Sequence, residues 1–104
     1  MSNPLAGEVT VRIDGETHVA KLTLGALAEL EDALGDDSLL ALVQRFEGGA
    51  FSGRDVLALI MAGLRGGGWS GTRESLMTAE IEGGPAGAAR VAATLLARAF
   101  TPPE

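Results

Sequence analysis

The sequence predicts an α+β, mostly α fold: an N-terminal β-hairpin (residues 8–22), then about five short helices (24–100) and a short tail (101–104), in one domain over residues 1–104. Three observations predict it. Strict apolar/polar alternation occurs over residues 8–14, ahead of an Asp14-Gly15 turn pair. From Leu24 onward apolar residues recur at helical spacing, in short runs separated by glycines and capping residues. Hydrophobic residues make up 46% of the chain but aromatics only 4%, and the apolar share is mostly Ala, Leu and Val, which leans towards helix. A length of 104 residues leaves room for one core and not two.

In the hairpin, Val9, Val11 and Ile13 point one way while Glu8, Thr10, Arg12 and Asp14 point the other. Asp-Gly tolerates the positive φ angles of a tight turn. The return strand runs from Thr17 to Leu22, with two registers open: either Val19 or the Ala20/Leu22 pair faces inward. A lone hairpin needs cover for its apolar face.

Thr23 caps a first helix carrying Leu24, Leu27, Leu30 or Glu31, and Leu34 near helical spacing, ended by Gly35. Asp36, Asp37 and Ser38 lead into a second, with Leu39, Leu42, Val43 and Phe46 on one face and Gly48-Gly49 as its stop. Ser52 and Asp55 form a capping-box pattern for a third. This helix, to about Arg65, is apolar on every side through Val56–Leu64, so it is central or shows an apolar face to a partner. The run Gly66–Gly71 reads as a flexible loop holding Trp69. Thr72 caps a fourth helix through about Glu82. Pro85 suits the first turn of a fifth, whose inner face is Ala88, Ala92, Leu95, Leu96, Ala99 and Phe100. Pro102 and Pro103 forbid continuation.

The formal charge of −6 lies in the first half: nine acids against three bases up to residue 50, and five of each after it. An acidic chain repels phosphate backbones, so no nucleic acid is expected as a partner. No segment approaches the ~18 apolar residues of a membrane span, and no leader pattern opens the chain. The absence of cysteine excludes disulfides and is compatible with the cytoplasm of the bacterial host, the location expected.

No catalytic, cofactor or metal residues are expected. His18 is the single histidine and has no motif around it. The acids Glu29, Glu31, Asp32, Asp36 and Asp37 lack calcium-loop spacing; a solvated face or a patch for a basic partner explains them. The glycine run lacks the Lys-Ser/Thr ending of a phosphate loop, and no serine sits in a nucleophile elbow. Trp69 either folds onto the core or anchors a partner.

The segment Leu22-Thr-Leu-Gly-Ala-Leu-Ala-Glu-Leu-Glu-Asp-Ala-Leu-Gly35 resembles the gene transfer agent and phage tail assembly chaperone family, also described as gene transfer agent tail tube proteins. Asn3-Pro4, Gly7-Glu8-Val9, the Asp14-Gly15 turn, Ser52-x-x-Asp55 and Ala62-Gly63-Leu64-Arg65 extend the likeness. It thins beyond residue 65, where Gly66–Gly71 replaces a polar, often His-bearing linker.

The resemblance implies a non-catalytic tail assembly chaperone that binds the tape measure protein, the tail tube protein or both during tail morphogenesis, with room for self-association. The alternatives are a structural tube or connector subunit kept in the particle, or a small regulatory binding domain. On this view the partner-binding residues are Val56, Leu59, Ile60 and Met61 on the third helix, Trp69, and an acidic patch at Glu29 and Asp32.

Overall fold

The computed structural model describes residues 7–35 and 37–100. Asn3-Pro4, Asp36 and the tail 101–104 with Pro102 and Pro103 lie outside the described residues. The order is β1 (Val9–Ile13), β2 (Glu16–Ala20), α1 (Leu24–Leu34), α2 (Leu39–Glu47), α3 (Gly53–Gly66), α4 (Arg73–Thr78) and α5 (Gly84–Ala99). The expected hairpin and five helices are all present.

β1 and β2 pair antiparallel, with Val9 opposite Ala20 and Ile13 opposite Glu16. Asp14 (φ 51°) and Gly15 (φ 82°) both take the positive φ that a two-residue hairpin turn requires. The register is therefore the one that turns Ala20 and Leu22 inward. Both are buried, as are Val9, Val11 and Ile13.

Four helices begin on a side-chain cap. Thr23 accepts from the Ala26 N–H and Ser38 from that of Ala41. Ser52 and Asp55 close a full capping box, as do Thr72 and Ser75. α3 is the central element, with α1, α5, β2 and α4 packed around it. Leu59 and Leu64 of α3 share the fully enclosed core with Leu30, Leu42, Leu95 and Val11. Each such side chain contributes about 1.5–3 kcal/mol through burial.

Four expectations change. The fourth helix stops at Thr78, not near Glu82. Residues 80–82 instead line the outer edge of β1: Asp14 donates its N–H to the Glu80 carbonyl at 2.8 Å, and Glu82 donates to that of Arg12 at 3.0 Å. The strand's unpaired groups thus compete successfully for a segment with only weak helical patterning. Leu24, at the first position of α1, is 87% exposed, and Phe100, just past α5, is 51% exposed; each sits at a helix end beyond the packed face.

The last change concerns the glycine run, whose start is sterically required. A Cβ on Gly66 would lie 2.0 Å from the Lys21 carbonyl oxygen, and one on Gly67 1.8 Å from that of Val19. The missing side chains let the end of α3 touch the backbone of β2. The Trp69 N–H then returns to the Leu64 carbonyl (2.9 Å) and the Gly68 N–H to that of Arg65 (3.1 Å), with Gly68 at φ 99°. This is a Schellman stop, an ordered helix end.

Candidate protein-interaction site

α3 separates two surface grooves. The larger encloses about 1010 Å³ between α3, α4, the start of α5 and residues 80–82. Phe51, Val56, Leu57, Ile60, Leu76 and Met77 supply apolar lining. Met77 stands 61% exposed, a flexible thioether free to adapt to an occupant. Charge is confined to one lip, where Arg12, Asp14, Glu80 and Glu82 lie. Arg12 pairs with Glu82 at 3.2 Å. The Asp14 carboxylate accepts the Glu80 N–H at 2.9 Å, so Asp14 and Glu80 leave this lip negative.

The smaller groove, about 590 Å³, lies between α1 and α3. Leu30, Ala33, Ala58 and Met61 give it an apolar lining, and Glu29, Asp32, Arg54, Arg65 and Arg73 its charge. Arg65 reaches Glu29 at 3.7 Å.

The residues expected to bind a partner are thus divided. Val56 borders the larger groove; Met61, Glu29 and Asp32 border the smaller. Leu59 and Ile60 were expected on the binding face, but they are 0% and 1% exposed. Packing on all sides of α3 takes them into the core, and Ile60 only backs the larger groove from beneath. The acidic patch also needs correcting, because three arginines share the groove with Glu29 and Asp32 and make its charge mixed. Trp69 is half-buried against the core and lines neither groove.

Sequence reasoning missed two features. Leu76 and Met77 on α4 and Phe51 just ahead of α3 carry no sequence pattern that marks them, yet they border the larger groove. Asp55 was read only as a cap, yet it also forms a bidentate pair with Arg45. Both Arg45 Nε–Asp55 Oδ2 and Arg45 Nη2–Asp55 Oδ1 are 2.9 Å. Asp55 is 6% exposed. The guanidinium hydrogen bond holds its carboxyl below the usual range and outweighs the opposing effect of burial; the Ser52 backbone N–H adds to the lowering. The Arg45 pKa is raised in turn, chiefly by the Asp55 hydrogen bond.

Among the described residues, no group of three or more His, Cys, Asp or Glu could hold a metal ion. No helix there is long and apolar enough to cross a membrane. His18 sits half-buried opposite Val11 in the hairpin.

The fold and grooves define a small α+β protein with one largely apolar trough and one groove of mixed charge. A family model for the phage tail tube protein GTA-gp10 matches residues 6–101. The chain belongs to this gene transfer agent and phage tail family. No curated protein and no solved structure matches it.

Proposed function

We propose that the protein is a non-catalytic subunit of a phage-like or gene transfer agent tail tube, acting through contacts with other tail proteins. The match to a tail tube family along nearly the whole chain carries the reading. The larger apolar groove supports it, since contiguous exposed apolar surface marks interaction sites. The test is quantitative mass spectrometry of purified particles. Several copies per particle, co-fractionating with the tail, are expected. Absence from particles, with abundance in the producing cells, overturns the proposal.

A second reading, a tail assembly chaperone, draws on the sheet. Tubes built by strand pairing between neighbours need a free edge. Here residues 80–82 bond to the β1 edge, Lys21 just past β2 donates to the Gly63 carbonyl at 2.8 Å, and Gly67 packs against Val19 of β2. Such a closed hairpin suits a helper that covers apolar surface on the tape measure protein in the cytoplasm and then departs. Recovery bound to the tape measure protein in lysate, together with absence from particles, selects this reading.

A further inference from the structure

We infer that the larger groove receives an amphipathic helix of another protein, with its apolar stripe flanked on one side by lysine or arginine. The inference rests on the reading that the protein acts through protein contacts, and it adds the chemistry of the partner. Three features of the groove specify it.

The volume, about 1010 Å³, is on the order of two helical turns, taken as a cylinder roughly 10 Å across and 5.4 Å per turn. The lining from Val56, Leu57, Leu76 and Met77 offers few polar partners, whereas an extended peptide would bring in unpaired backbone N–H and C=O groups. The adjacent β1 edge already bonds to residues 80–82, which removes the nearest strand-pairing site. A helix satisfies its own backbone and presents only side chains.

The charge then sets the orientation. Asp14 and Glu80 lie on one lip, and Arg12 on that lip is occupied by Glu82. The Phe51, Gly53 and Pro85 side of the lining carries no ionisable group. A cation on one flank of the incoming helix meets the two carboxylates; an anion there is repelled. A second copy of the chain fits less well: the exposed Leu24 lies on a helix with no basic residue, the exposed Leu40 shares α2 with a single arginine, Arg45, whose guanidinium is already held by Asp55 and Asp37, and the exposed Met77 is part of the groove itself.

The test uses the full chain and two labelled synthetic helical peptides of about 16 residues, some four turns. Both carry Leu and Phe at i, i+3, i+4, i+7 spacing; one has lysines along a single flank, the other glutamates. Fluorescence anisotropy should show the lysine peptide binding at least about ten-fold tighter. Met77→Glu should weaken it by a further factor of about ten or more, and Glu80→Lys should erase the preference. Leu40→Glu, 66% exposed and in neither groove, is the control and should change affinity less than about two-fold.

Equal binding of the two peptides, or binding indifferent to Met77→Glu, overturns the inference. So does a concentration-dependent dimer in sedimentation equilibrium that Met77→Glu dissociates, which would make a second copy the occupant. Particle composition plays no part in these measurements, so a failure here is distinct from failure of the tail tube reading.

Discussion

The guanidinium of Arg45 and the carboxylate of Asp55 meet in two parallel hydrogen bonds of 2.9 Å, tying the last turn of α2 to the first turn of α3. The same carboxylate accepts the Ser52 N–H at 2.9 Å, and Asp37 approaches Arg45 from the other side at 3.6 Å. One buried acid therefore closes a capping box and fixes the angle between two helices. The stacked rings of Phe46 and Phe51, 4.6 Å between centroids, cover the same junction.

Asp55→Ala should lower stability by roughly 2 kcal/mol, combining a lost cap with the loss of the arginine's partner. Urea unfolding at neutral pH measures it. The pH dependence follows from the lowered pKa of Asp55. Its contribution is complete above the unfolded-state value of about 3.9 and is lost as pH falls through the lower folded value. The gap between wild type and Asp55→Ala should hold at neutral pH and narrow below about pH 4. A gap that stays constant down to full protonation would mean that the ion pair contributes nothing.

The junction was half legible in the sequence. Ser52-x-x-Asp55 is a local pattern, so the capping box could be read directly; Arg45, ten positions away, could be placed beside Asp55 only once the helix angle was known. The hairpin and helix starts were readable for the same local reason. The larger groove was not, because its walls come from α3, α4 and residues 80–82, brought together by packing. An all-apolar α3 cannot say which of its sides stays open, which is why Leu59 and Ile60 looked as available as Val56 and Met61. The ordered glycine stop was hidden because flexibility and close backbone approach call for the same residue.

That ambiguity can be tested with a pair of glycines. Gly67→Ala places a methyl group 1.8 Å from the Val19 carbonyl oxygen, and backbone there cannot move aside without pulling α3 off β2. A loss of about 2 kcal/mol or more is expected. Gly53→Ala, at the first position of α3 with nothing within 4 Å, should be neutral or stabilising by up to about 1 kcal/mol. Thermal unfolding of the two variants separates a steric requirement from mere flexibility; equal, small effects would restore the flexible-loop reading.

Trp69 gives a third test. Its N–H completes the α3 stop, its ring packs on the core, and a Cβ on Gly71 would sit 2.0 Å from that ring. Trp69→Ala should therefore destabilise the fold by about 1–3 kcal/mol while leaving affinity for the lysine-flanked peptide within about two-fold. The reverse result, an intact fold with lost binding, would make Trp69 an interface anchor and move the binding surface away from the larger groove.

The hairpin edges offer a test that starts from the unmutated protein. In this register Asp14 and Arg12 turn their backbone groups towards residues 80–82, and Lys21 turns its N–H towards Gly63. Thr10 and Thr17, also on the outward-facing alternation, are exposed. Amide hydrogen exchange by NMR should find the Asp14, Lys21 and Glu82 amides at least about a hundred-fold more protected than those of Thr10 and Thr17. Asp14→Ala should erase much of the difference at Glu82, because it removes both the acceptor of the Glu80 N–H and the residue that tolerates φ 51° in the turn. If Asp14 and Glu82 instead exchange as fast as Thr10, the β1 edge opens readily in solution. A strand from a neighbouring subunit could then replace residues 80–82, and the closed-edge argument for a departing chaperone would lose its footing to a tube that assembles by strand pairing.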